Sequence, residues 1–155
     1  MLTEQQILYK LTSLCARSEY CIDDMRKKMQ RWETPDDMQQ RVIDFLLRER
    51  YVDEERFARA FIRSKAELNK WGSHKIEQAL RLKHIPTDVF KPLLEELLTE
   101  ESTQDTLTTL LRNKLRSVKA DTDYERRGKL IRFALQRGFS MDDTLRAIDN
   151  LITTD

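Results

Sequence analysis

Apolar side chains recur every three or four residues in nine short runs of this chain, and nearly every run is bracketed by a residue that starts or stops a helix. The first run spans 4–16 with Ile7, Leu11 and Leu14, and the second spans 22–32 with Met25 and Met29. A third opens at Thr34-Pro35-Asp36-Asp37, read as a cap followed by Pro at the first helical position, and continues to about 50 through Met38, Val42 and Leu46. Asp53 caps a fourth over 54–69, with Phe57, Phe61, Ile62 and Leu68 directed to a core. After Gly72, Ser73 caps a fifth over 74–84 with Ile76, Ala79 and Leu80. A sixth follows Pro86 and Thr87 through Val89, Phe90, Leu93, Leu94 and Leu97. Ser102 with Asp105 signals a seventh, to about 118, carrying Leu107, Leu110, Leu111 and Leu115. The eighth covers 123–136 with Leu130, Phe133 and Ala134 and ends at Gly138, and Ser140 with Asp143 opens a ninth with Leu145, Ile148 and Leu151. No run has the two-residue period of a strand.

Three Gly and three Pro leave too little punctuation for a turn-rich all-β fold, which reinforces an all-α reading. No stretch approaches the roughly 18 apolar residues of a membrane span, and Met1-Leu-Thr-Glu-Gln-Gln lacks the order of a signal peptide, so a cytoplasmic protein without a membrane partner is expected. Cys15 and Cys21 have neither metal-ligand nor redox spacing and read as reduced structural thiols.

The nine helices group by threes. Met25 and Met29, Ile76 and Leu80, and Leu130 and Ala134 are spaced alike at offsets of 51 and 54 residues, a repeat suited to stacked units that cannot each bury a face alone. The middle helix of each triplet is basic and the last is acidic. Net charge is only +1, yet residues 56–84 carry eight bases against two acids, 85–111 one against six, and 112–137 nine against three. Such segregation can build a one-sided basic face on a neutral protein. The expected architecture is three tandem three-helix units, 1–52, 53–100 and 101–155, in an elongated, curved array.

Between Tyr51 and Pro86 the sequence resembles the RecX regulatory family. The likeness is carried by Phe57-Ala58, Lys70-Trp71-Gly72, Lys75-Ile76 and Leu80, and is flanked by Ala16-Arg17 with Asp24-Met25-Arg26-Lys27-Lys28-Met29 and by Arg137-Gly138-Phe139-Ser140. The chain departs from that pattern at His84, where Gly is usual, at Cys21, where a hydroxyl cap is common, and at Trp32, where Lys-Gly is usual. The thiol is a poorer acceptor for free backbone N–H groups than a hydroxyl. The resemblance implies three tandem three-helix units and a role in binding the filament of the RecA recombinase on DNA, limiting its growth, ATP hydrolysis and strand exchange.

A filament or DNA contact would fall on the basic residues Arg26, Lys27, Arg31, Lys70, Lys75, Arg81, Lys83, Arg126, Arg127, Lys129 and Arg132, tracking phosphates without base readout. Weak, non-specific binding to single- and double-stranded DNA by a monomer is expected. Trp71 could stack on a base, but packing at the junction of the fourth and fifth helices, with Gly72 in a positive-φ turn, is the preferred reading. Phe57, Phe61, Phe90 and Phe133 read as core. His74 and His84 lack partners at metal or acid–base spacing, the acidic pairs Asp23-Asp24, Glu54-Glu55 and Asp142-Asp143 sit at helix starts, and no Gly-rich loop could hold a nucleotide phosphate. No catalytic residue, metal or cofactor is therefore expected. A helix-turn-helix transcription regulator using 54–69 and 74–84, or a helical-repeat scaffold for another protein, would be the alternatives.

Overall fold

The computed structural model describes residues 1–153, with side chains through Leu151. Among the described residues the regular structure is nine α-helices and no strand: α1 Glu4–Cys15, α2 Ile22–Arg31, α3 Asp36–Arg48, α4 Glu54–Glu67, α5 Ser73–Leu82, α6 Thr87–Leu97, α7 Glu100–Ser117, α8 Asp123–Gln136 and α9 Met141–Thr153.

The chain divides into two compact bodies. The N-terminal body comprises Met1–Phe61 and Leu80–Phe90, the C-terminal body Ile62–Ala79 and Lys91–Asp155. In the first, α3 packs on α1 and α2. Its core is Ile7, Leu11, Met25, Met29, Val42, Ile43, Leu46 and Val52, with Trp32 half-buried against it. In the second, α7, α8 and α9 pack on one another around Leu107, Leu111, Leu130, Ala134, Phe139, Ala147, Ile148 and Leu151. Both cores therefore come from the three- and four-residue stripes, and burial of such stripes is what stabilises helices as short as the ten residues of α2.

The middle helices end alike. The Thr34 N–H reaches back to the Met29 carbonyl at 2.9 Å, Ile85 to Leu80 at 3.2 Å and Phe139 to Ala134 at 3.2 Å, each closing the six-residue ring of a Schellman motif. The residue before each donor is left-handed: Glu33 (φ 54°), His84 (φ 59°) and Gly138 (φ 95°). These positions repeat the 51- and 54-residue offsets of the apolar stripe. α3 closes the same way, from Tyr51 to Leu46 at 2.9 Å over Arg50 at φ 60°. With so few glycines, three of these four left-handed caps carry a side chain, at roughly 1–2 kcal/mol each. They also stop α2, α3 and α5 one or two residues short of the spans expected from periodicity alone.

Several starts differ from expectation. α3 begins at Asp36, because Pro35 is the cap itself and its carbonyl accepts the Gln39 N–H at 2.9 Å. Thr34 does not cap; its carbonyl accepts Gln39 Nε2 at 2.9 Å. Gly72 supplies the carbonyl that takes the Ile76 N–H at 3.2 Å, so Ser73 is already helical. Thr99 rather than Ser102 caps α7, its Oγ1 accepting the Ser102 N–H at 3.1 Å. The cap on α4 is as read, with Asp53 Oδ1 taking the Arg56 N–H at 2.9 Å.

Leu68, expected in the core, lies beyond the end of α4 and is 80% exposed. Phe57 and Phe90 are buried, while Phe61 and Phe133 are half-buried. Both cysteines are free thiols, and burial pushes Cys21 up to about 12, which leaves it protonated and unreactive.

Candidate nucleic-acid interface

Asp23 and Asp24 sit in the first turn of α2, where the helix dipole favours a carboxylate. In the N-terminal body they also hold two of the candidate cations, Lys27 and Lys83. Asp24 Oδ1 takes Lys83 Nζ at 2.9 Å while its Oδ2 accepts the Cys21 N–H at 3.2 Å, the half of a capping box that the carboxylate at N3 supplies. Asp23 takes Lys27 Nζ at 2.9 Å and His84 Nδ1 at 2.9 Å. Burial would raise the Asp24 carboxyl, but Lys83 and the Cys21 N–H outweigh it and hold it below its ordinary value. The same contest over Asp23 is decided by Lys27 and His84.

Glu54 completes this acidic cluster from α4. Burial, and then the Asp24, Asp23 and Asp53 carboxylates, push it up to about 7 against the Ile22 N–H that favours its charged form, and its Oε2 is buried without a hydrogen bond. Arg56 is occupied too, its Nε on Glu19 Oε1 at 2.6 Å and its Nη2 on the Arg50 carbonyl at 3.0 Å. Arg26 bonds Gln40 Oε1 at 2.9 Å. The Arg81 guanidinium lies 5.3 Å from the Phe90 ring and its Nη1 reaches Thr87 Oγ1 at 3.3 Å. Arg31, at the end of α2, is exposed.

In the C-terminal body Lys70 is itself left-handed at φ 57°. Gly72, expected at positive φ, is needed for a different reason. A Cβ there would stand 2.5 Å from the carbonyl carbon and oxygen of Gly138, so two backbones touch where a side chain cannot fit. The Gly72 N–H donates to the Arg137 carbonyl at 2.7 Å and the His74 N–H to that of Gly138 at 3.1 Å, fastening the start of α5 to the turn before α9. Trp71 is half-buried beside this clasp, with Lys65 Nζ 4.8 Å and Lys75 Nζ 4.6 Å from its ring centre. The ring is thus engaged by two ammonium groups, in keeping with the packing role.

On α8, Arg126 pairs with Asp123 at 2.6 Å and Arg127 with Asp149 at 3.4 Å. Lys129 and Arg132 face a groove between α7 and α8 that is also lined by Lys114 and Lys119. Val118 and Phe133 supply apolar lining, and no described carboxylate lines this groove. Lys129 Nζ donates to the Lys119 carbonyl at 2.5 Å, holding the α7–α8 connection. Lys114 and Lys119 lie outside the candidates, which come from the middle helices and Lys70. The signal that finds them is the run Arg112-Asn-Lys-Leu-Arg-Ser-Val-Lys119, four bases without an acid.

Basic helices in an all-α chain with a 50-residue repeat define a helical-repeat protein with charged surfaces. Family comparison specifies which. Residues 53–90 match the model described as RecX, second three-helix domain, and residues 100–148 match RecX, third three-helix domain. The regulatory protein RecX of Prosthecochloris aestuarii is 30% identical over 135 residues, covering 87% of this chain and 86% of that protein. The regulatory protein RecX of Acinetobacter baylyi is 25% identical over 139 residues, covering 90% and 84%. A Clostridium botulinum (strain Alaska E43) relative of the same name is 31% identical over 104 residues, and there the match spans 48% of the relative. The crystal structure of RecX from Lactobacillus salivarius superposes with a TM-score of 0.85 at 17% identity, covering 97% of both chains. The chain belongs to the RecX regulatory protein family. No described helix is long and apolar enough to cross a membrane.

Proposed function

We propose that this chain is a non-enzymatic, cytoplasmic, monomeric regulator that binds the RecA filament on DNA and restrains its growth, ATP hydrolysis and strand exchange. The observation that carries the reading is family membership over 87% of the chain, joined to basic surfaces on helices of both bodies. Its division into units 1–52, 53–100 and 101–155, the weak and non-specific binding of single- and double-stranded DNA, and a role in recombination and DNA repair belong to the same proposal. Of the cations on offer, Lys27 and Lys83 are held by Asp23 and Asp24, while Lys129 and Arg132 face a groove of like charge. Long-range attraction to phosphates therefore falls more on the C-terminal body, and Arg31, Lys70 and Arg81 are solvent-facing auxiliaries.

The test is DNA-dependent ATP hydrolysis by a RecA recombinase, with this protein added well below the recombinase concentration. Inhibition at such ratios is the expected outcome, because a regulator of filament growth acts at few sites. No inhibition, or inhibition only at stoichiometric excess over DNA, would remove the proposal.

A further inference from the structure

We infer that the groove between α7 and α8 is a nucleic-acid contact of this chain, taking the phosphodiester backbone on Lys114, Lys119, Lys129 and Arg132. The assignment rests on reading the chain as a partner of nucleoprotein, and it names the surface that does the work. Three observations carry it.

The lining brings four cations together from α7, its following connection and α8, with no described carboxylate among them. Several cations elsewhere are paired with acids: Lys27 and Lys83 in the N-terminal body, and Arg126, Arg127 and Arg146 in the C-terminal one. Cations gathered without acids repel one another, and a polyanion relieves that repulsion with release of its counter-ions.

The site is also built. Lys129 ties its Nζ to the Lys119 carbonyl at 2.5 Å, which fixes the backbone that carries the Lys119 side chain. Phe133 is flanked by Lys114 Nζ at 5.0 Å and by the Arg137 guanidinium at 5.0 Å, so the aromatic ring holds cations in place. Arg137 is further fixed by Nη1 on the Asn69 carbonyl at 3.4 Å.

The lining, finally, is poor in apolar anchors. Val118 and the half-buried Phe133 are the main ones, against the broad apolar stripe that an acidic amphipathic helix would need for docking. Phosphates need no such anchor, which favours nucleic acid over an acidic protein segment.

The experiment uses the full chain with fluorescently labelled oligo(dT) and, separately, a duplex of the same length, reading anisotropy over a salt series with no recombinase present. The variant Lys114→Gln/Lys119→Gln/Arg132→Gln leaves Lys129 and its backbone tie intact. Losing three phosphate contacts lowers the log–log salt slope by about two for the single strand and about three for the duplex, with an affinity loss of about tenfold or more at low salt. Loss on both DNAs or on one alone supports the groove and tells which form it takes. Three exposed bases outside the groove, changed together as Arg17→Gln/Arg48→Gln/Lys91→Gln, should leave the slope as it was. Should circular dichroism show the triple groove variant unfolded, Lys119→Glu, on the connection between the helices, decides in its place.

An unchanged slope in the groove variant, an equal loss in the control triple, or displacement of DNA by polyglutamate at matched charge would overturn the assignment. Because no recombinase is present, the two ideas separate. DNA binding lost in the groove variants while the unaltered chain fails to inhibit a recombinase removes the filament role alone. Inhibition by the unaltered chain with DNA binding kept in the groove variants removes the groove alone.

Discussion

Replacing Gly72 by Ala is a severe test of the backbone clasp in the C-terminal body. The added methyl would stand 2.5 Å from the Gly138 carbonyl carbon and oxygen and 2.6 Å from the Phe139 nitrogen. Comfortable contact is about 3.5–4.0 Å, so one backbone segment must retreat by about 1 Å. The neighbours are backbone and cannot swing aside. Retreat stretches the Gly72-to-Arg137 hydrogen bond of 2.7 Å and the His74-to-Gly138 bond of 3.1 Å. Two backbone bonds at about 1 kcal/mol each, added to an overpacking cost of about 1–3 kcal/mol, give a loss of about 3–5 kcal/mol. For a chain of this length that lowers the melting temperature by about 6–20 °C in scanning calorimetry.

The reciprocal change, Gly138→Ala, meets Lys75 Cβ at 2.4 Å and Lys75 N at 2.6 Å and adds the left-handed penalty at φ 95°. It should cost as much or more. Because each change opens the same clasp, the double variant should fall well short of the sum of the two. A loss under about 1 kcal/mol for Gly72→Ala, or strict additivity in the cycle, would refute the argument that two touching backbones dictate these glycines.

Glu33→Gly should stabilise the fold by about 1 kcal/mol, since it removes a left-handed side chain and an acid at the negative end of α2 while adding some backbone freedom to the unfolded chain; urea titration reads it, and an unchanged midpoint would count against the cap assignment. Glu54 is protonated in the fold up to about 7 but ionises near 4.5 when unfolded, so the folded state binds the extra proton and stability falls as pH rises from about 4.5 through about 7. Glu54→Gln should abolish that fall. The shift corresponds to about 3 kcal/mol, reduced to about 1–2 kcal/mol for a half-buried group, and chemical denaturation at pH 5 and pH 8 measures it. Asp24→Asn leaves the Lys83 ammonium half-buried without its 2.9 Å partner, and should cost about 1 kcal/mol at neutral pH, shrinking as pH falls through the lowered Asp24 value.

The legible part of this fold was whatever depends on local spacing. Nine amphipathic runs gave nine helices among the described residues, because a stripe at three- and four-residue intervals has only one way to be buried. The 51- and 54-residue offsets also held at finer grain than the apolar pairs that suggested them, since Glu33, His84 and Gly138 continue the register as left-handed caps. His84 and Glu33, where glycine would be the easy choice, could not be read as caps from residue type alone. What decides a left-handed position is the hydrogen bond closing over it, and that depends on backbone three to five residues away. Gly72 shows the converse error. Its residue type points to a positive φ, whereas the need is for contact with Gly138, which lies 66 positions on and is invisible to any local window.

Charge was the least legible property, for a related physical reason. Counting bases along the sequence weights Lys83 and Lys119 equally, but a cation's reach into solvent depends on what stands within about 4 Å of it. Lys83 has Asp24, fifty-nine positions earlier, at 2.9 Å, whereas Lys119 shares a groove with three other cations. The middle helices that look most alike in sequence therefore differ as electrostatic surfaces. α2 carries its own acids at its positive end and uses them to bind the close of α5. α8 turns Lys129 and Arg132 toward like charges on α7 and the connection after it. A repeat conserves the packing that each helix needs, and the pairing of charges is left to the contacts between helices. In this chain it is those contacts, more than the number of bases on any one helix, that decide which cations stand beside acids and which stand beside like charge.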